Sequence, residues 1–469
     1  MFPPGAAGSV TADMDDTSPT SDRADAPSGA SPATADASSP VVLAAKRATY
    51  VAFIGTGFAF ASWASQIPQI KTSLQASPSL LGLVLLSVAV GSLIALPLAG
   101  IVVTRLGTAR TVAAMALLVS LGLVVIALGY ESGVAPVVVG LFCMGFGNGT
   151  WDVAMNVEGA AVEQRLGRAI MPRFHAGFSV GTVVGALGGS AAVALGVPVR
   201  VHLLVAAVLV AAVVPLWVRR FLPVEPAPEQ GSAAAEGRRN PLRAWLEPRT
   251  LLIGLFVLCM AFTEGTGNDW LAVAVIEGYQ TAPATGPLTF AVFLAAMTVG
   301  RWFGPQVIDR YGRVLTVRVS ALVALVGLLM VVFGQLLAVA VIGSVLWGLG
   351  TALGFPVGMS AAADDPARSA GRVAVVASIG YTAFLAGPPL IGFLGDHVGV
   401  LRALTVTAGL LALAAAIAGT TKALEPGTSA RPEQEEPGAP GPVVEPPTAT
   451  GAPTARPPAP EGDEGRAWR

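Results

Sequence analysis

Stretches of about 20 apolar residues recur along the chain from about residue 45 to about residue 420. That length is what an α-helix needs to cross a hydrocarbon core about 30 Å thick. Short turns carrying Gly, Pro and charge separate about twelve such stretches. Because lipid offers no partner to an open backbone, each stretch must be helical, so the pattern predicts an all-α membrane protein of about twelve transmembrane helices. Their centres lie near Gly57, Val90, Val119, Val139, Gly185, Ala207, Phe256, Leu294, Leu325, Ile342, Leu385 and Leu411.

Composition favours a membrane protein over a soluble one. Of the 469 residues, 53% are hydrophobic and 12% are charged, against roughly 25% charged in soluble domains. The mean hydropathy is +0.68. The net charge of −1 gives no indication of a nucleic-acid partner. From the composition we expect the chain to be embedded in the lipid bilayer.

Lys and Arg are distributed unevenly among the loops. The loops after even-numbered spans and the two flanks of the bundle hold most of them, whereas the alternate loops hold only Lys71, Arg200 and Arg402. Positive residues in short loops stay on the cytoplasmic side. We therefore expect a multi-pass protein of the plasma (inner) membrane with both termini in the cytoplasm.

Composition changes at both ends of the chain and near its middle. Residues 1–44 are rich in Ala, Ser, Thr, Pro and Asp, and residues 421–469 in Pro, Glu and Gly. Such segments bury too little apolar surface to offset the entropy of ordering, which predicts two disordered cytoplasmic tails. A Pro- and Ala-rich stretch predicts a cytoplasmic linker at residues 221–249. It separates a first six-helix half, residues 45–220, from a second, residues 250–420.

Glu264 lies in the middle of an apolar stretch that runs from Leu251 to Val275. A carboxylate at that depth costs at least about 2.5 kcal/mol on insertion scales, so it indicates contact with water, a partner or a substrate. One interpretation is a group that takes up and releases a proton as a cavity alternates. The other is a structural hydrogen bond to a neighbouring helix. We favour proton coupling, with Asp152 as a second such group.

Polar side chains four residues apart occur in the first, fourth and seventh spans, and this spacing places them on one helix face. Aromatic residues near them either stack on the ring of a sugar or polyol or anchor the membrane interface. For Asp152 and Asn156 the alternative to substrate contact is a hydrogen bond between helices. For Asp269 the alternative is a charge in water at the rim of the outer mouth. The predicted substrate-binding residues are Trp63, Gln66, Asn148, Asp152, Asn156, Asn268, Asp269, Trp270 and Tyr381.

A loop pattern occurs twice, after the second span and after the eighth. Both copies contain an Arg-x-Gly core. The core residues are Arg105, Gly107, Arg310 and Gly312. Asp309 precedes the second core, whereas Thr104 precedes the first. Bundles of two repeated halves are typical of transporters that hold substrate near the midplane between the halves.

This loop resembles the signature loop of the major facilitator superfamily, and other segments resemble its rhizopine-transport-like (MosC-type) branch. Those segments are Trp63 with Pro68; Trp151 to Asn156; Glu163, Gly167, Arg168, Met171, His175, Phe178, Ser179 and Gly181; Glu264 with Asp269 and Trp270; and Gly380, Tyr381 and Phe384 to Pro389. The resemblance covers about residues 45 to 420. It implies two pseudo-symmetric six-helix halves, a cavity lined by spans one, four, seven and ten, and an inositol- or sugar-like substrate. Thr104 stands where the family usually has an Asp that anchors a cytoplasmic gate. The salt bridge of that gate is therefore in doubt in the first half.

The resemblance also implies gating residues at the loops. Charged groups cluster between the fourth and fifth spans, where a gate network is favoured over substrate contact. Arg301, at the inner end of the eighth span, is expected to pair with Asp309 or with lipid headgroups. The predicted gating residues are Arg105, Gly107, Asp309, Arg310, Gly312, Arg168 and His175.

Together these features predict a monomeric secondary transporter of a small organic solute, coupled to protons. Without a phosphate loop in the sequence, ATP-driven transport is not expected. The sequence also shows no nucleophile with a matching His and acid, so we expect that the protein is not an enzyme. The two Cys have no metal-ligand spacing, and we expect no metal and no cofactor. The alternatives are a drug or metabolite efflux antiporter, and a membrane receptor or scaffold that does not transport.

Overall fold

The computed structural model describes residues 39–168, 170–223, 241–365 and 368–423. Residues 1–38 and 424–469 of the predicted tails and residues 224–240 of the predicted linker lie outside these ranges.

Within the described ranges the chain forms α-helices, three short 3₁₀ helices and no strand. Twelve helical segments are long and apolar enough to cross a membrane. The predicted all-α membrane bundle is therefore confirmed. The helices are α1 (Pro40–Ala64), α2 (Ile67–Ser73), α3 (Pro78–Leu106), α4 (Thr108–Gly129), α5 (Val134–Leu166), α6 (Met171–Ala194), α7 (Val199–Val218), α8 (Pro248–Tyr279), α9 (Thr285–Tyr311), α10 (Arg313–Phe333), α11 (Leu337–Thr351), α12 (Gly354–Ala362), α13 (Ser369–Val398), α14 (Val400–Ala403) and α15 (Thr405–Ile417).

Three of the twelve spans combine two α-helices. The first contains α1 and α2, the tenth contains α11 and α12, and the last contains α14 and α15. The first six spans form one half and the last six form the other. In the first half α1 packs on α6 and α3 on α5; in the second, α8 packs on α13 and α9 on α11. The halves meet mainly where α3 packs on α13 and α6 on α9.

The repeated loop has the same backbone shape in both halves. Gly107 ends α3 at φ 77° and ψ 164°, and Gly312 ends α9 at φ 78° and ψ 161°. Each glycine donates its N–H to the carbonyl four residues earlier, at 2.8 Å in the first copy and 2.7 Å in the second. A positive φ is accessible to glycine at little cost. The Arg-x-Gly repeat is thus a turn that starts the next helix at once.

Helices α4, α7, α10 and α15 stand at the outside of the bundle. They present large apolar side chains outward, among them Leu128, Val208 and Phe333, which are 57%, 64% and 62% exposed. These helices are the third, sixth, ninth and twelfth spans, which the sequence leaves without ionisable residues in their middle. The arrangement keeps the polar spans away from lipid and around the centre.

Because the spans alternate in direction, residues 40 and 421 lie at the same face of the bundle. We call this the terminal face. It includes the connections after even-numbered spans. The connections after odd-numbered spans form the opposite face.

Candidate functional site

Two adjoining chambers lie between the halves of the bundle. The first, which we call the polar chamber, has a volume of about 260 Å³, and its walls come from α1, α3, α5 and α6 of the first half and α8 and α9 of the second. The second, the aromatic chamber, has a volume of about 230 Å³ and is bounded by α1, α3, α8 and α13. Four residues line both chambers: Phe60, Val88, Ser92 and Asn268.

Glu264 and Arg301 form an ion pair in the wall of the polar chamber. Arg301 Nη2 donates to Glu264 Oε1 at 2.7 Å, and the two side chains are 29% and 18% exposed. The expectation that Arg301 pairs with Asp309 or with lipid headgroups is wrong, because its guanidinium turns inward from α9 toward α8. Two ions whose burial is separately unfavourable thus compensate each other while both remain in contact with the cavity.

The fourth span contributes the other polar wall of this chamber. Asp152 is exposed to the cavity, and Asn156 Nδ2 donates to its carboxylate at 3.1 Å and to its backbone carbonyl at 2.8 Å. Asn148, one turn earlier, accepts a 3.0 Å hydrogen bond from Thr56 Oγ1 on α1. Asp152 and Asn148 line the chamber, as their spacing predicts, whereas Asn156 acts behind Asp152 and is not part of the lining.

The aromatic chamber gathers four of the predicted substrate-binding residues, Trp63, Asn268, Asp269 and Tyr381. Phe60 and Phe384 line it as well. Asp269 makes no hydrogen bond or ion pair to the residues that the structure describes.

Besides Asn156, two further predicted substrate-binding residues line neither chamber. Gln66 is buried, and its Nε2 donates to Gly189 O at 3.4 Å. Trp270 is fully buried among the apolar side chains of the second half. Conversely, Thr298 and Arg301 of α9 line the polar chamber without having been predicted to bind substrate. Their spacing of three in the eighth span is the signal that places both on one face.

The predicted gating residues lie at the terminal face, apart from His175, whose ring stands edge-on to Phe53 at 5.1 Å. Arg105, Arg168 and Asp309 are exposed and form no ion pair with any residue in the described ranges. Arg310 covers the ring of Tyr311 at 5.4 Å. In the first half, Glu158 is buried and accepts hydrogen bonds from Thr108 Oγ1 at 2.7 Å and from Leu222 N at 2.7 Å.

Ion pairs at the terminal face concentrate instead in the second half, in a group we call the charged cluster: Glu247, Arg249, Arg313, Asp364 and Arg372. Asp364 bridges Arg313 at 2.6 Å and Arg249 at 3.2 Å. Arg372 Nε donates to Glu247 at 2.6 Å. Burial opposes ionisation of Glu247, but hydrogen bonds from Arg372 and Thr250 outweigh it and hold the pKa of this carboxyl below its ordinary value. This cluster was not predicted from the sequence. Its signal there is the pair of adjacent acids after the tenth span, Asp364 and Asp365.

Polar bonds between the two halves, among the described residues, all lie at the opposite face. Lys71 pairs with Glu277. Ser79 N donates to Asp396 Oδ2 at 3.2 Å, and Ser190 Oγ donates to Ala284 O at 3.3 Å. The halves are therefore joined at the opposite face, and Asp152 of the polar chamber is exposed.

Comparisons with known proteins agree with this architecture. A family model described as Major Facilitator Superfamily matches residues 49–381 and 309–460. An uncharacterized transporter of Sinorhizobium fredii is 31% identical over 380 residues, which cover 80% of this chain and 98% of that protein. Membrane protein MosC of Rhizobium meliloti is 28% identical over 363 residues, covering 75% of this chain and 84% of MosC. The crystal structure of the nucleoside transporter NupG superposes with a TM-score of 0.66 at 15% identity, over 82% of this chain and all of NupG.

Proposed function

This chain belongs to the major facilitator superfamily, as its repeated loop predicts, and from that premise we propose that it is a proton-coupled secondary transporter of a small, sugar- or polyol-like solute. It is a multi-pass membrane protein of a family of transporters. In our proposal it works as a monomer in the inner membrane, with the terminal face in the cytoplasm, by alternating access between the two halves.

The observation that carries the proposal is a polar cavity between two similar halves whose polar bonds to each other, among the described residues, lie at the opposite face. A solute held there contacts α1, α3, α5 and α6 of the first half and α8 and α9 of the second. Rocking of the halves would exchange the closed face for the open one while the solute remains near the middle. The hydroxyl and amide groups of Ser92, Asn148 and Thr298 suit the hydroxyls of a polyol.

Glu264 is the group that we propose to couple transport to protons. While ionised it is held by Arg301 at 2.7 Å. When a proton neutralises it, the guanidinium loses its counter-ion and its N–H groups become available to a solute oxygen. A proton that moves through 100 mV supplies about 2.3 kcal/mol, enough for a gradient of the solute to be maintained.

Uptake into proteoliposomes tests the proposal. Purified protein would be reconstituted and offered labelled glucose and labelled inositol, with an imposed pH gradient, without it, and with it collapsed by a protonophore. We expect accumulation above the equilibrium level only while the gradient exists. Flux that is indifferent to the gradient would remove the coupling but keep transport. Gradient-driven extrusion would favour the efflux antiporter, and binding without flux would favour the receptor.

A further inference from the structure

The helix of the tenth span is interrupted near the wall of the polar chamber. Its first part, α11, ends at Thr351, and its second part, α12, begins at Gly354, with Ala352 and Leu353 between them. Pro356 lies in the first turn of α12 and has no N–H, so it cannot donate to Ala352 O, four residues earlier, as a continuous α-helix requires. In a membrane a carbonyl freed in this way needs a donor from a neighbouring helix.

Arg301 of α9 supplies that donor. Its Nε donates to Ala352 O at 3.5 Å, the long limit of a hydrogen bond, while its Nη2 donates to Glu264 Oε1 at 2.7 Å. The helices approach closely here because α9 has a glycine next to the arginine: a Cβ at Gly300 would lie 2.6 Å from the Cβ of Ala352. One guanidinium therefore bridges the ion pair in the cavity and the interruption in the tenth span.

Helix α12 connects this interruption with the charged cluster at the terminal face. It is nine residues long and packs on α8. Arg313 holds its far end, donating from Nη2 to Ser360 Oγ at 3.2 Å and from Nη1 to Asp364 Oδ1 at 2.6 Å. A change of angle at the interruption therefore moves Asp364 relative to the rest of the charged cluster.

Glu264 is the titratable group that controls the charge around Arg301. Among the described residues, Arg301 forms an ion pair with Glu264 alone, and α11 and α12 contain no ionisable side chain. The other titratable groups that face the two chambers or the guanidinium are Asp152 on α5, His175 on α6, Asp269 on α8 and Tyr381 on α13. None of these four donates to or accepts from Arg301 in the described part of the chain.

We propose that Arg301 is a positioning residue that transmits the protonation of Glu264 to the interruption in the tenth span and so determines the position of α12. The inference rests on the proposed function and specifies how a proton in the cavity reaches the terminal face. While Glu264 is ionised, the guanidinium is drawn toward α8 and its bond to Ala352 O is long. When the carboxyl is neutral, the guanidinium moves toward the freed carbonyl, which it already contacts, and the interruption becomes more rigid.

Hydrogen exchange of residues 353–363, measured by mass spectrometry on the full chain in lipid nanodiscs, tests this inference. Wild type and Glu264→Gln are compared at one fixed neutral pH, so that the intrinsic exchange rate is the same and the amide stands for the protonated carboxyl. A hydrogen bond that shortens from its limit to an ordinary length should slow exchange in this segment by about threefold or more.

Variants on the two sides of the contact should remove this difference in opposite ways. Arg301→Lys keeps a positive charge for Glu264, but an ammonium lacks the planar fork that reaches two acceptors at once, so exchange should be fast with either Glu or Gln at position 264. Pro356→Ala restores the N–H toward Ala352 O, so exchange should be slow with either one. Pro356 is exposed, and its replacement leaves no cavity.

Pro215→Ala is the matched control, since it also removes a proline from inside a helix but lies in α7 of the first half. It should keep the threefold difference. The inference is overturned by equal exchange in wild type and Glu264→Gln, or by a difference that persists in Arg301→Lys or in Pro356→Ala.

The proposed function fails separately. A response of α12 to Glu264→Gln without flux into proteoliposomes removes transport and leaves the role of Arg301. Gradient-driven uptake by a protein whose α12 does not respond removes only that role.

Discussion

At the scale of single residues, the Glu264–Arg301 pair explains how two ionised groups persist in the middle of the bundle. Removing one partner of a fully buried pair costs about 3–5 kcal/mol, since the other charge is left uncompensated. Here both side chains reach the cavity, so water or a solute compensates part of that loss. The two charges are thus compensated partly by each other and partly by the contents of the cavity.

Glu264→Gln tests this directly. The amide cannot ionise, so its attraction to Arg301 no longer depends on a proton, and we expect accumulation driven by a pH gradient to fall to the equilibrium level. Exchange of labelled for unlabelled solute should persist, because it requires rocking but no net proton movement. Both are measured in proteoliposomes, with Glu131→Gln as the control. Full accumulation by Glu264→Gln would remove the proton role and leave transport in place.

The sequence predicts part of this site from spacing. Asn148 and Asp152 are four residues apart and both line the polar chamber. Spacing cannot supply the partner of Glu264, because Arg301 lies on another helix, 37 positions away. Adjacency in the sequence and the family resemblance, rather than spacing, led to Trp270 being grouped with Asp269. Consecutive helical residues point about 100° apart, so with Asp269 toward the chamber, Trp270 enters the core.

At the scale of elements, the contact between α3 and α13 determines how closely the halves approach at the opposite face. A Cβ at Gly82 would meet the backbone of Pro388, and one at Gly392 would meet the backbone of Pro78. Backbone atoms cannot move aside as the end of a flexible side chain can. These two glycines permit the closed opposite face, and a larger residue at either one disfavours that state.

Gly82→Val should therefore shift the protein away from the state in which the opposite face is closed. Overpacking typically costs about 1–3 kcal/mol, which lowers the population of the closed state about fivefold or more. We expect uptake to slow to a similar extent. Gly100→Val is the matched control, since it lies in the same helix and a Cβ there would have no neighbour within 4 Å. Equal uptake by the two variants would show that this contact does not limit the cycle.

The charged cluster predicts that the stability of the folded protein depends on pH. Since the pKa of Glu247 is lowered in the folded protein, its stabilisation is complete above the ordinary pKa of glutamate, about 4.3, and is lost as the pH falls through the lowered value. We expect Glu247→Gln to unfold a few degrees below wild type at pH 7, with the difference vanishing in acid. Thermal unfolding in detergent measures it. A difference that does not change with pH would exclude the ion pair with Arg372 as its cause.

At the scale of the whole molecule, the length and recurrence of the apolar stretches were sufficient to predict twelve spans. The Arg-x-Gly repeat was sufficient to align the halves. Which face is closed could not be predicted. That property depends on bonds between distant segments, such as Ser79 with Asp396 and Lys71 with Glu277. Each of these is a weak contact, and a rearrangement that exchanges one set for another requires little free energy. A sequence compatible with two states does not specify which one is occupied.

The bonds at the opposite face lead to a prediction for the transport cycle. If the halves must separate there in each turnover, then joining residues 71 and 277 with a reducible thiol-specific crosslinker should stop transport. The variant is Lys71→Cys with Glu277→Cys, in a background where Cys143 and Cys259 are replaced by Ser. Glu131→Cys with Arg200→Cys is the control, because that pair also lies at the opposite face but joins two elements of the first half. Uptake should fall to background in the first variant, return after reduction, and stay unchanged in the control. Undiminished uptake through a crosslinked 71–277 pair would mean that the solute moves without separation of the halves, and alternating access would then have to be abandoned for this protein.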